Sequence, residues 1–202
     1  MISEAIHERA HDTLVLQRRM RVLARAGASL LPESGTVLDV GCGNGEISAQ
    51  VASRKPGLQF FGIDIAKRPS CAIPMTVYDG TRIPFAVDSY DYAIFVDVLH
   101  HTPDPLVLLK EAKRVARKGI VIKDHISDTR WAERRLIFMD WVGNRQHGVV
   151  LPYNYWSTHQ WHEAWMELGA KPDVWNTQVG LYPKPFKWLF ENGLHFMARI
   201  PV

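Results

Sequence analysis

The sequence is poor in cysteine, in long apolar runs and in excess charge of either sign. Its two cysteines, Cys42 and Cys71, cannot build a disulfide framework, a four-cysteine zinc site or a three-thiol arsenic-type site. A reduced, cytoplasmic setting is the simplest expectation. No run of about 18 apolar residues occurs, so no membrane-spanning helix is expected. Glu4, His7, Glu8, Arg9, His11 and Asp12 interrupt the N-terminal stretch, which therefore does not read as a secretory signal. Lys and Arg total 24 against 21 Asp and Glu, a net charge of +3 that is too small to argue for nucleic acid as a partner. Basic residues interleaved with aromatics are also missing. What is present is a globular composition, 47% hydrophobic and 22% charged, over 202 residues, which suits one domain. There is no internal repeat, low-complexity tract or linker.

The chain is punctuated most clearly in its first two thirds. Residues 3–26 are rich in Ala, Leu, Arg and Glu and predict a helix. The cluster Arg18, Arg19, Arg21 and Arg25 on it reads as a solvated face. Residues 36–40 form a short apolar run that ends in Gly41-Cys42-Gly43-Asn44-Gly45, as a buried parallel strand does. A helix follows over 46–54, then a strand over 58–64. Pro69 and Pro74 leave only loop or one turn between 66 and 74. Strands are expected over 75–78, 90–96 and 119–123. Asp104-Pro105 opens a helix that runs to about Arg117, with a cap followed by proline at the first helical position. This order predicts an α/β fold with a doubly wound parallel sheet.

Composition shifts after residue 125. All seven tryptophans lie between Trp131 and Trp188. Residues 128–142 read as a helix with a broad apolar face. Ser157 and Gln160 form a capping box for a helix that places Trp161, Trp165 and Leu168 on one side, a core face rather than a ligand box. Residues 173–181 and 194–200 are candidate strands.

The glycine turn between strand and helix is the informative feature. It suits a phosphate, a dinucleotide or a nucleoside. A dinucleotide fingerprint wants a small residue three positions after Gly43, where Glu46 stands, and the turn lacks the Gly-Lys-Ser/Thr ending of a phosphate loop. Asp39 lies within the strand just before the turn; its charge would repel a pyrophosphate and suits a cationic or hydroxylated ligand. Asp64, Asp79 and Asp97 end the next three strands. Each acid alone reads equally well as a cap or turn former. Four at the carboxyl edge of a parallel sheet mark the place where such sheets bind ligands.

On these residues the chain resembles a class I S-adenosylmethionine-dependent methyltransferase of the small-molecule, type 11-like group. VLDVGCGNG resembles the family's first motif and FGIDI its acidic ribose motif. YDGTRIPFAVDSYDYAIFVDVLHHTPDP resembles its third- and fourth-strand region. The resemblance covers about residues 35–125. It implies a Rossmann-like sheet of seven strands, mostly parallel with the last antiparallel. It also implies S-adenosyl-L-methionine as cofactor and S-adenosyl-L-homocysteine as product. By the same resemblance Asp39, Gly41, Cys42, Gly43 and Gly45 would cradle the methionine part. Asp64 would bind the ribose hydroxyls and Ile65 would lie on the adenine face. Asp79 and Gly80 would meet the adenine edge, and Asp97, Val98 and His101 would line the sulfonium side. The family usually carries a fuller helix where this chain has its 66–74 loop. The expected division of the single domain is a helical cover over 1–34, a cofactor core over 35–125, a helical lid and substrate region over 126–172, and the last two strands over 173–202.

Methyl transfer from a sulfonium is an in-line displacement, governed mostly by positioning, with a general base needed for some nucleophiles. His125 is the favoured base, with His101 beside it; either could instead be a turn residue bonded to backbone. His100, Asn144, His147, Tyr153 and Tyr155 are candidate contacts for a small-molecule acceptor, which the aromatic-rich second half suggests is apolar or aromatic. O-, N- and C-methylation remain alternatives. His7 with His11, and His159 with His162, have helical spacing but no third ligand, so no metal is expected. A non-catalytic cofactor-binding or regulatory protein of the same fold is the alternative reading. A protein or nucleic-acid methyltransferase is a weaker one, because Asp97-Val98-Leu99-His100 stands where amino-group nucleic-acid enzymes carry their Pro-Pro-aromatic signature.

Overall fold

The computed structural model describes residues 17–144 and 152–202, without the side chains of Gly143 and Asn144. Helix α1 occupies 17–30. Then follow β1 (Ser34–Val40), α2 (Glu46–Arg54), β2 (Gly57–Asp64), β3 (Met75–Val77) and β4 (Tyr90–Val96). A 3-10 turn over Leu99–His101 leads to α3 (Pro105–Val115) and β5 (Ala116–His125). The remainder is α4 (Arg130–Asn144), α5 (Thr158–Glu167), β6 (Val174–Asn176), α6 (Lys187–Phe190) and β7 (His195–Pro201). The seven strands form one sheet in the order β3-β2-β1-β4-β5-β7-β6. β1 to β5 are parallel, and β7 runs antiparallel between β5 and β6.

Alternation along the central strands splits the core between the two faces of the sheet. Leu38, Ala93, Phe95, Ile120 and Ile122 pack with α3 and α5 on one face. Val37, Ile94 and Val121 pack with Leu23, Ala24 and Ala28 of α1 on the other. The strand order reverses between β1 and β4, so the carboxyl ends of these two strands flank a crevice.

Local signals held where the chain closes on itself. Asp104 caps α3 by accepting from the Leu106 N–H at 2.9 Å, with Pro105 next. The Ser157–Gln160 capping box opens α5. Trp161 and Trp165 are core residues, 2% and 4% exposed. Trp161 also donates from Nε1 to the His125 carbonyl at 3.0 Å.

Two expectations are corrected. β5 does not stop at Lys123; it continues to His125 because Asp124 and His125 pair with Phe196 and His195 of β7. The strand expected over 173–181 is only Val174–Asn176. Beyond it, Gly180 adopts a positive φ, and the Gly180 and Tyr182 N–H groups donate to the buried Glu191 carboxylate instead of a neighbouring strand. No helix among the described residues is long and apolar enough to cross a membrane.

Trp161 joins α5 to β5 by burial and by its indole hydrogen bond. Trp161→Ala is expected to cost about 3–5 kcal/mol of stability, read from urea unfolding monitored by circular dichroism.

Candidate functional site

β1 delivers Asp39 and the glycine turn to the crevice. Gly41 takes φ +75°, and a Cβ there would lie 2.6 Å from a methyl of Val98, so the turn and the end of β4 touch through a missing side chain. At Gly43 (φ +56°) an added Cβ would meet nothing within 4 Å, so the turn fronts open space there. Gly45 answers to packing: its missing Cβ makes room for Cys71 and Ile73 of the 66–74 loop. That loop is tied to the turn by the Ala72 N–H, which donates to the Asn44 carbonyl at 2.8 Å. Cys42 lies against the missing side chain of Gly62, and burial pushes its thiol pKa up.

The acids divide into two kinds. Asp39 is 5% exposed and accepts from Ser48 Oγ at 2.6 Å. Burial pushes its carboxyl up to about 6, although the Ser48 bond opposes the shift. Asp64 is 4% exposed and accepts from the Gly43 and Ala66 N–H groups at 2.8 and 3.0 Å. Arg68 stands 3.6 Å away. Asp79 is a turn former, accepting from the backbone of Thr81 and Arg82, and these bonds lower its pKa. Next to it, Ile65 is 68% exposed, with a methyl 3.0 Å from where a Gly80 Cβ would be.

Asp97 is partly exposed and belongs to a charge cluster around the buried Lys123. Its carboxylate meets Lys123, which is fully buried, and Arg19 of α1 at 2.5 Å. Burial alone would raise this carboxyl; Lys123 and Arg19 hold it well below the usual carboxylate range. The arginine cluster of α1 is therefore not a wholly solvated face. Arg21 and Arg25 are exposed, but Arg19 reaches Asp97 and Arg18 donates to the Gly180 carbonyl. The helix rotates these two toward the site while Leu23 and Ala24 enter the core.

Beside this cluster the histidines gather. His195 Nε2 lies 2.9 Å from the Phe190 carbonyl, which can only accept, so Nε2 carries the proton. His195 Nδ1 is then the acceptor for Lys123 at 3.3 Å and for His125 Nδ1–H at 3.0 Å. This leaves the lone pair of His125 on Nε2, 3.6 Å from Asp97. Burial and the Lys123 charge keep the His125 and His195 pKa values well below the usual histidine value, so both rings are neutral. His100 is the opposite case. Burial disfavours its charge, but Asp124 at 2.7 Å and Asp140 at 3.4 Å outweigh that and raise it to about 10. His101 is lowered by burial and by the adjacent His100 charge, and its Nδ1 is buried without a partner.

The acceptor-side candidates are partly together. Tyr155 donates to Asp140 and its ring stacks 5.5 Å from His100. Tyr153 lies 6.4 Å from Tyr155, ring to ring, with a positive φ. Asn154, not singled out in the sequence, donates to the Thr102 carbonyl at 3.0 Å and anchors this segment over the 3-10 turn. Asn144 ends α4, and His147 lies outside the described residues. His7 and His11 also lie outside them, and His159 is exposed and pairs with Glu163. Ligand atoms of His100, His125 and Asp140 lie within 4.8 Å of one another, a grouping able to take a cation. In this state the proton on His100 already supplies the positive charge between Asp124 and Asp140. Helix rotation brings in Arg19 and Asp140, and strand register brings in His195, which no local sequence pattern marks.

The charge pattern is open to imidazole NMR titration. His100 should stay protonated beyond pH 8, while His125 and His195 stay neutral at pH 6. Because the folded His100 value lies above the usual 6.5, its stabilising charge is present in full below 6.5 and is lost as pH rises through about 10.

The chain is similar to known methyltransferases in sequence and in fold. A family model described as a methyltransferase domain matches residues 8–173. The 2-methyl-6-phytyl-1,4-hydroquinone methyltransferase of Synechocystis sp. is 29% identical over 140 residues, 64% of this chain and 39% of that protein. The ubiquinone biosynthesis O-methyltransferase of Aliivibrio fischeri is 27% identical over 95 residues, 41% of this chain and 40% of that one. The chain thus spans less than half the length of these curated relatives. A solved SAM-dependent methyltransferase from Thermotoga maritima superposes with TM-score 0.62 at 18% identity, over 97% of this chain and 95% of its own, which shows the shared fold. A seven-stranded sheet with an antiparallel strand inserted at one end, together with a family match over most of its length, makes this chain a member of the class I S-adenosylmethionine-dependent methyltransferase family.

Proposed function

We propose that the crevice between the ends of β1 and β4 binds S-adenosyl-L-methionine and that the protein methylates a small-molecule acceptor, releasing S-adenosyl-L-homocysteine. The observation that carries this reading is the sequence of surfaces along the sheet edge. Open space fronts Gly43, a buried carboxylate follows at Asp64, and an exposed apolar side chain follows at Ile65 beside Gly80. These fit an amino-acid tail, a ribose and an adenine in that order. Asp39, Gly41 and Gly43 would hold the tail, with Cys42 and Gly45 shaping the turn. Asp64 would hold the ribose, and Ile65, Asp79 and Gly80 the adenine.

When bound, the cofactor supplies an electrophilic methyl on a sulfonium whose leaving thioether is neutral. No charge needs an oxyanion hole, so the protein's share is alignment. Val98 packs on Gly41 and His101 lies beside it, where they would line the methyl side. His125 holds its lone pair on Nε2 because His195 fixes the other nitrogen, the form a base requires for an acidic acceptor proton. Asp97 and Lys123 flank that histidine, and the Lys123 charge keeps it neutral. His100, with one nitrogen on Asp124 and the other on Asp140, fixes the wall of the acceptor site beside Tyr155. Tyr153 and Tyr155 offer the flat surface for an aromatic ring, and Asn144 and His147 belong to the same segment. The hydroquinone and ubiquinone methyltransferases among the relatives support a hydroxylated aromatic acceptor and O-methylation. The division into a cover over 1–34, a cofactor core over 35–125, an acceptor region over 126–172 and closing strands over 173–202 belongs to this reading.

Calorimetric titration with S-adenosylhomocysteine tests it. Wild type should bind, and Asp64→Ala should weaken binding by about 1.5–3 kcal/mol, the scale of hydrogen bonds to a charged group; equal binding by both would reject the ribose assignment. Asp39 adds a pH signature. Its carboxyl ionises near 6 in the folded chain, so affinity for the cofactor's ammonium should be full above pH 6 and fall as pH drops through that value. Asp39→Asn should flatten that profile.

A further inference from the structure

The helix that turns Asp140 toward His100 shows an apolar stripe on its other side. Trp131, Phe138 and Val142, spaced i, i+7 and i+11 on α4, are 58%, 54% and 46% exposed. α6 continues the stripe with Phe186 and Trp188, 51% and 73% exposed. The two helices are joined by the Arg135 guanidinium, which donates to the Leu189 carbonyl at 3.0 Å and lies 5.9 Å from the Trp131 ring centre. Trp131 and Trp188 wall a recess of about 320 Å³, with Arg135 between them. The Arg135 Nε there is buried and has no hydrogen-bond partner. A monomer in water would gain nothing by exposing such a patch.

Charge selects the occupant. Arg130 and Arg134 stand beside Trp131 on α4, Lys184 and Lys187 flank Phe186 in the chain, and among the described residues none of the four is in an ion pair. Of the two acids of this helix, Glu133 falls on the side opposite Trp131 and Phe138 at helical spacing, and Asp140 faces His100. Exposed tryptophan with phenylalanine and unpaired cations near it is the surface that settles at a lipid headgroup layer. Anionic headgroups complement the cations, and a headgroup phosphate suits the recess that holds Arg135.

We infer that the α4–α6 face docks on an anionic phospholipid surface, so that the wall bearing Asp140 stands directly behind the lipid contact. The docking is a property of the surface and stands independently of the cofactor reading.

Sedimentation with vesicles tests it without cofactor or acceptor. The chain should bind vesicles containing phosphatidylglycerol at least about tenfold more strongly than pure phosphatidylcholine vesicles, and lose that preference in high salt. The double variants Arg134→Glu/Lys184→Glu and Phe138→Ser/Trp188→Ser should each weaken binding about tenfold, with unfolding midpoints near wild type. Equal binding to both vesicle types, or variants that bind as wild type does, would overturn the inference. So would self-association at rising concentration that Trp188→Ser abolishes while vesicle binding is absent; that result would assign the face to a second copy of the chain.

Discussion

A partly buried carboxylate just past the end of β4 sets the terms for everything near it. Asp97 cannot sit in the protein interior without a counter-charge, because desolvation of a lone carboxylate costs several kcal/mol. Lys123 from β5 and Arg19 from α1 provide it. The pairing therefore fixes how α1 is rotated and how the ends of β4 and β5 lie against each other. Lys123 in turn leans on His195 of β7, so four elements converge on one buried charge. Removal of Asp97 would leave Lys123 and Arg19 with no counter-charge.

The same cluster organises proton positions. The Phe190 carbonyl accepts from His195, His195 accepts from His125, and His125 Nε2 faces Asp97. Half a turn away His100 carries a full charge between two acids. Two histidines only 4.5 Å apart, ring to ring, are thus held in opposite states by their second neighbours. Separated protonation states of this kind are what acid and base roles require.

The local motifs were legible in the sequence because their physics is local. The glycine turn, the Asp104-Pro105 start, the Ser157 capping box and the Trp161–Trp165 core face each depend on residues a few positions apart. The parallel sheet followed from their order. What could not be read was set by distant pairing. β5 extends to His125 only because β7 lies beside it, and residues 177–182 leave the sheet only because Glu191 captures their N–H groups. The site divided the same way. Asp39, Asp64 and the glycines announced themselves through the turn. Asp97 looked like one more strand-end acid, yet its neighbours are cations from α1 and β5. His195 carried no signal at all, since a histidine in a strand is placed opposite another only by register.

The two strands at the borders of the sheet, β3 and β6, have three residues each. A strand so short offers few free backbone groups to an incoming chain. The long central strands, by contrast, are flanked on both sides. Growth of the sheet by addition of a foreign strand is therefore discouraged at both borders, and the chain carries within its own topology a safeguard against fibril-like stacking.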